Sequence, residues 1–72
     1  MISPICQYHQ GDMMGNLYKV NDTYYYKIYY KINNKYKLIG QSYVNLFDKE
    51  LCLERMFHDM EIIDTTRAKR LK

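Results

Sequence analysis

The sequence predicts a small α+β domain, in which an antiparallel sheet of three to four strands packs one face against a C-terminal helix. The stretch Tyr24–Ile32 holds only aromatic, isoleucine and lysine residues, which is typical of a half-buried strand. Further along, apolar side chains follow the i, i+3, i+4, i+7 spacing that places them on one side of a helix. These are Leu53, Met56, Phe57 and Met60.

Length and composition limit the class of protein. Seventy-two residues make one domain, and a chain of this size buries only ~60% of the surface of its unfolded form. Two cysteines fall short of a secreted disulfide framework, and no signal peptide or apolar run of ~18 residues is visible. We therefore expect a reduced cytoplasmic protein, without a membrane contact or a cofactor.

The composition also suggests an origin. Asn, Lys, Ile and Tyr, whose codons are rich in A and T, make up 29 of the 72 residues. Phages, other viruses and low-GC bacteria have genomes of this kind. A viral source would place the protein in the host cell cytoplasm.

The strand predicted over Tyr24–Ile32 has two distinct faces, because alternate side chains point to opposite sides of a sheet. The face that we predict to meet the core holds Tyr24, Tyr26, Ile28, Tyr30 and Ile32. The face that we predict to meet solvent holds Tyr25, Lys27, Tyr29 and Lys31. A turn at residues 21–23 would join this strand to a preceding strand over about 16–20.

Two registers are open at Asn33-Asn34. A two-residue type I′ turn suits asparagine at both positions, but it sets Ile32 opposite Lys35 and mixes lysines into the apolar face. A three-residue loop over Asn33–Lys35 instead brings Tyr36, Leu38 and Gly40 to that face. Because a one-residue slip exchanges core and solvent, we favour the three-residue loop, with a strand over about 35–43 and a bulge or close approach at Gly40.

The remaining segments follow from local signals. Asn45 or Asp48 can cap a helix over about 48–60, and residues 61–64 either end it or form a short strand. Phe57 is expected in the core. Residues 1–15 form an N-terminal arm or short strand, residues 16–64 the single domain, and residues 65–72 a basic flexible tail.

Charge is unevenly distributed along the chain. The net charge is +3, but residues 16–43 carry +4, residues 44–64 carry −4 and residues 65–72 carry +4. Such asymmetry bears on partners and not on the fold. The tail cations are Arg67, Lys69, Arg70 and Lys72.

No motif indicates catalysis. The chain has no glycine-rich phosphate loop, and a domain of this size has little room for a pocket of several hundred Å3, so we predict that it is not an enzyme. Two thiols and two imidazoles are the ligand types of structural zinc, namely Cys6, His9, Cys52 and His58. Their C-x2-H and C-x5-H spacings depart from known zinc patterns, so zinc is only a weak possibility.

The solvent face of the sheet is the candidate interaction surface. Its predicted partner-binding residues are Tyr25, Lys27, Tyr29, Lys31, Lys35, Lys37 and Tyr43. Tyrosine is enriched at protein interfaces, which favours stoichiometric binding to a host protein, as an inhibitor or modulator of host machinery, including machinery that processes nucleic acid. The alternative is direct DNA or RNA binding, with lysines on phosphates, tyrosines on bases and the basic tail as a secondary contact. A homodimer is a further possibility.

Element order alone gives a resemblance. A three-stranded sheet followed by a helix, over residues 16–60, resembles the arm-binding domains of some phage-type integrases. No motif residues carry this likeness, and it implies no functional positions here.

Overall fold

A computed structural model describes the backbone of residues 3–70 and the side chains of residues 3–66. Its elements are β1 (Cys6–Gln10), β2 (Met13–Val20), β3 (Thr23–Ile32), β4 (Lys35–Gln41) and α1 (Lys49–Arg70). The strands form one antiparallel sheet in the order β1-β2-β3-β4. The predicted α+β architecture, with a C-terminal helix on one face of a small sheet, is confirmed.

The β3–β4 turn contains Asn33 and Asn34 alone. Both have the left-handed backbone, with φ of 52° and 65°, which a type I′ turn requires. Ile32 therefore pairs with Lys35, and the three-residue loop that we favoured is wrong. Turn chemistry, which indicated the two-residue turn, determines the register.

With the two-residue turn alone, β4 would present the wrong residues to the core. A β-bulge in β4 restores the expected side for Gly40. Ile28 pairs with Gly40 but Tyr29 pairs with Leu38, so Ile39 is an extra residue in β4. The bulge lets Ile39 pack against the core and brings Gly40 beneath the helix. A Cβ atom at Gly40 would lie 3.2 Å from Cδ1 of Ile63, so both the bulge and the close approach predicted near Gly40 are present.

The two-residue turn reverses the first half of β4, residues 35–38, relative to our expectation. Paired residues of an antiparallel ladder share a face. Tyr36 pairs with Lys31, and Leu38 pairs with Tyr29. Both side chains therefore lie on the face away from the helix, and Lys35 and Lys37 lie on the helix side.

The core lies between α1 and the middle of β2 and β3. Its buried side chains are Met13, Leu17, Tyr26, Ile28, Cys52, Met56 and Met60. Gly15 permits the close approach of the helix, because a Cβ atom there would lie 2.7 Å from Sδ of Met60. The central alternation of β3, with Tyr26 and Ile28 inward, is as predicted.

Phe57 does not belong to this core, contrary to our prediction. The buried stripe of α1 runs through Cys52, Met56 and Met60. Successive helix positions are rotated by about 100°, so Phe57 points to the side of that stripe and is 43% exposed. Its ring packs edge-on against Tyr8 of β1, with the ring centroids 4.9 Å apart.

The helix begins at the second of the two predicted caps, Asn45 and Asp48, and extends beyond the predicted end. Oδ1 of Asp48 accepts the backbone N–H groups of Glu50 and Leu51, at 2.9 and 3.3 Å, so Asp48 is the N-cap. Ile63 continues the buried stripe over Gly40, and the backbone stays helical through residues 61–64 to Arg70. The side chains of Arg67, Lys69 and Arg70 lie outside the described part of the chain, as does all of Lys72.

Candidate interaction surface

The helix covers one face of the sheet, and in residues 3–70 no second layer covers the other. We call this second surface the open face. Its central side chains are Asn16, Tyr18, Tyr25, Lys27, Tyr29, Lys31, Tyr36 and Leu38. The alternation of β2, β3 and β4 places them there, since each belongs to a cross-strand pair on that side.

A stacked tyrosine pair forms the centre of the open face. Tyr18 and Tyr25 are cross-strand partners, and their rings lie parallel within 13° with centroids 5.0 Å apart. The ammonium group of Lys27 lies 5.8 Å from the Tyr18 ring centroid, within reach of a cation–π interaction. Tyr18 is only 8% exposed, so neighbours within the same layer cover it.

The Tyr18 hydroxyl of this centre is hydrogen-bonded to a buried amide. Nδ2 of Asn16 donates to the Tyr18 hydroxyl at 3.2 Å. The pKa of Tyr29 is raised, mainly by partial burial and secondly by a hydrogen bond with Tyr18. Oδ1 of Asn16 is buried without a hydrogen-bond partner among the described residues, and such an acceptor costs about 1–3 kcal/mol. The centre is thus ordered and aromatic, with one acceptor left unsatisfied.

The structure brings together four of the seven predicted partner-binding residues. Tyr25, Lys27, Tyr29 and Lys31 share the open face. Lys35 and Lys37 lie on the opposite side of β4, because the two-residue turn sets them opposite Ile32 and Tyr30. Tyr43 follows the end of β4 and is almost fully exposed.

Sequence reasoning missed the apolar part of this surface. Tyr36 and Leu38 were expected in the core, yet they are 46% and 44% exposed on the open face. The signal that could have found them was the Asn33-Asn34 pair, whose preferred turn sets Tyr36 opposite Lys31. Tyr18 was also missed, because the weak alternation of β2 does not show which side it takes.

On the helix side, Tyr26 connects the sheet to α1. Its hydroxyl donates to Oδ2 of Asp59. Burial, and then the bond to this carboxylate, raise the pKa of Tyr26. The hydroxyl therefore stays protonated and acts as a hydrogen-bond donor. A shallow, open depression of about 300 Å3 lies beside it, lined by Tyr26, Leu51, Glu54, Arg55, His58 and Asp59.

The possible zinc ligands are not assembled. No three His, Cys, Asp or Glu side chains within the described portion are grouped to hold a metal ion. Cys52 is fully buried in the core, and burial raises the pKa of its thiol. A buried thiol that stays protonated is a poor nucleophile, so Cys52 acts as a small apolar residue.

In the described range, α1 lacks the run of apolar residues that a membrane-crossing helix would need.

Comparison with known proteins gives no family. No family model, no curated protein and no solved structure matches the chain.

Proposed function

We propose that the protein is a non-catalytic binding protein whose open face takes a protein partner. The observation that carries this proposal is that tyrosine and leucine side chains lie uncovered on one face of a sheet whose other face is closed by α1. An apolar, aromatic patch of this kind on a small domain is typical of a site for another macromolecule. Tyrosine is also among the residues that dominate binding energy at protein interfaces.

Order within the face supports the same proposal. The Tyr18–Tyr25 stack and the hydrogen bond from Asn16 hold the rings in place before any partner arrives. Side chains that are already ordered lose less conformational entropy on association. A donor from the partner that reached Oδ1 of Asn16 would also satisfy the buried acceptor.

The charge of the sheet indicates the kind of partner surface that would bind. None of the four strands contains Asp or Glu, while the open face presents Lys27 and Lys31. The face therefore favours a partner surface that combines apolar residues with carboxylates. A phage- or mobile-element-type accessory factor that inhibits or modulates host machinery fits this chemistry and the high content of amino acids whose codons are rich in A and T.

Paired variants test this proposal. Tyr36→Ser with Leu38→Ser removes exposed apolar groups from the open face. Phe47→Ser with Ile62→Ser is the matched control, because those side chains are also exposed but lie in the loop before α1 and on α1. Tagged proteins would be used for affinity capture from nuclease-treated lysate of the source cells.

A protein captured stoichiometrically by the wild type and the control, and lost with the open-face variant, supports the proposal. Equal capture by all three proteins, or loss only with the control variant, contradicts it. Failure of the wild type to capture any protein at stoichiometric yield also counts against it.

A second candidate function is nucleic-acid binding at the β3–β4 turn. Lys31, Lys35 and Lys37 are all exposed, and they extend from both faces of the hairpin next to Asn33 and Asn34. A two-stranded ribbon of this kind fits the major groove of duplex DNA. This hairpin end replaces the lysine-covered face that the sequence predicted.

Salt dependence tests the second candidate. Three phosphate contacts predict that the affinity for generic duplex or single-stranded oligonucleotides falls steeply as salt rises. Lys35→Gln with Lys37→Gln should weaken binding, whereas Lys19→Gln, on β2 and remote from the turn, should not. Absence of any electrophoretic shift at about 50 mM salt, a condition that favours phosphate contacts, would exclude this candidate.

A further inference from the structure

The two edges of the sheet differ in how they resist pairing. The outer edge of β4 carries Lys35 and Lys37 and is interrupted by the bulge at Ile39. Lysines and bulges on an edge strand oppose the addition of another strand. The sheet is therefore protected on this side.

The β1 edge carries no such protection. Its five residues, Cys-Gln-Tyr-His-Gln, include no Lys, Arg, Asp, Glu or Pro. They pair with β2 in an unbroken register from Cys6 to Gln10. In residues 3–70 no strand lies beyond β1, so the outward backbone N–H and C=O groups of this edge can receive an added strand.

An apolar side chain stands beside this edge at its midpoint. Tyr8 is the central residue of β1, and the ring of Phe57 packs against it from the helix side. Phe57 remains 43% exposed. A strand that paired with β1 would bring its own side chains next to this ring and cover it further.

We infer that β1 pairs antiparallel with β1 of a second copy of the chain, about a two-fold axis through Tyr8, to form a continuous eight-stranded sheet. This arrangement is isologous and closed, as in most homodimers. Tyr8 would lie opposite Tyr8 of the second copy. The two Phe57 rings would lie on the same side of the joined sheet, near the axis.

Complementarity of the edge with itself favours a second copy as the occupant. In this register Gln7 lies opposite His9 of the second copy, and Cys6 lies opposite Gln10. No residue with a permanent charge meets its like, and the axis does not pair the two histidines with each other. A β4–β4 contact would instead bring Lys35 and Lys37 of both copies together, which costs free energy.

Lysines placed on the two edges test the inference. Gln7→Lys with His9→Lys sets lysine opposite lysine across the proposed axis, at exposed positions that tolerate charge. The matched control, Tyr36→Lys with Gln41→Lys, adds the same charge at exposed positions of β4. Sedimentation equilibrium over a concentration series gives the dimer dissociation constant, and amide hydrogen exchange reports protection in β1.

A wild-type dimer that the β1 variant weakens by at least about tenfold, or 1.4 kcal/mol, supports the inference, provided that the β4 control dimerises normally and that all three proteins melt alike at a concentration where each is monomeric. Protection of β1 amides that rises with concentration would confirm the edge. A wild type that stays monomeric at about 1 mM, the weak end of measurable association, overturns the inference. A dimer disrupted only by the β4 control overturns it too, and points to the open face.

Discussion

The two faces of the sheet use tyrosine in different ways. Tyr26 lies under α1, where Met56 and Met60 cover the sheet and Asp59 accepts its hydroxyl hydrogen. Tyr18 is nearly as buried, at 8% exposed against 4%, but only neighbours in its own layer cover it. Low exposure alone therefore does not identify the core of a small sheet protein. A second layer of packed side chains does.

The largest expected effect tests where that second layer lies. Met56→Ala removes a fully buried side chain and should cost about 2–5 kcal/mol of unfolding free energy. Phe57→Ala, one position along the same helix, removes a larger but half-exposed ring and should cost less. Urea denaturation of both variants measures the difference. If Phe57→Ala lowered the unfolding free energy more than Met56→Ala, the Phe57 ring would belong to the core and the assigned helix orientation would be wrong.

A smaller effect is expected where the helix touches the sheet. Gly15→Ala inserts a methyl group against Sδ of Met60, and such overpacking typically costs about 1–3 kcal/mol. Met60→Ala removes the nearest obstructing atom, while Sδ of Met56, 3.0 Å from the new Cβ, stays in place. The double variant should therefore be more stable than the sum of the two single changes predicts, as measured by a thermodynamic cycle. Simple additivity would show that the Met60 side chain does not crowd the new methyl group at position 15.

The bond between the layers should contribute less still. Tyr26→Phe removes the hydroxyl that donates to Asp59, and the loss should lie near the low end of the roughly 1.5–3 kcal/mol typical of hydrogen bonds to charged groups, because the bond is only partly buried. Tyr36→Phe, on the open face, is the control and should be nearly neutral. A cycle with Asp59→Asn isolates the coupling between the two groups. Zero coupling would mean that the bond adds nothing to stability.

The same tyrosine predicts a pH dependence. Burial and Asp59 raise the pKa of Tyr26 in the folded state, so its contribution is fully present below the unfolded pKa of about 10 and is lost as the pH rises above it. The unfolded chain releases this proton more readily than the folded one, which favours unfolding in alkali. The stability gap between wild type and Tyr26→Phe should narrow above pH ~10, as followed by urea denaturation. A gap that widened would contradict the raised pKa.

The smallest effect should come from the open face. Tyr36→Ser with Leu38→Ser replaces side chains that no second layer covers, and surface changes of this kind usually stay within about 0.5 kcal/mol per site. Thermal melting would verify this. A loss of several kcal/mol would show that these side chains support the fold, and the proposed interaction surface would then need another explanation.

Local patterns predicted the architecture well. The alternation of β3 correctly assigned Tyr26 and Ile28 to the core, and the capping chemistry of Asp48 marked the start of α1. These features depend on residues that are near one another in sequence. The order of strands and the helix followed from them.

Features set by distant contacts could not be read in the same way. The bulge at Ile39 depends on how Gly40 meets Ile63 of the helix. The choice of Met56 over Phe57 depends on the space above Gly15, which admits a flexible thioether. For the open face, the wrong hairpin register led us to predict Tyr36 and Leu38 in the core. It also led us to predict Lys35 and Lys37 on the open face.

The three methionines that meet between the layers have a chemical consequence. Met13, Met56 and Met60 are almost completely shielded, and a sulfoxide would bring a polar oxygen into that space. Peroxide should therefore react early with the half-buried Met14 and attack the shielded three only in molecules that have opened. Once oxidised, those molecules would refold less readily. The rate at which the buried methionines are oxidised would therefore measure how often the domain unfolds.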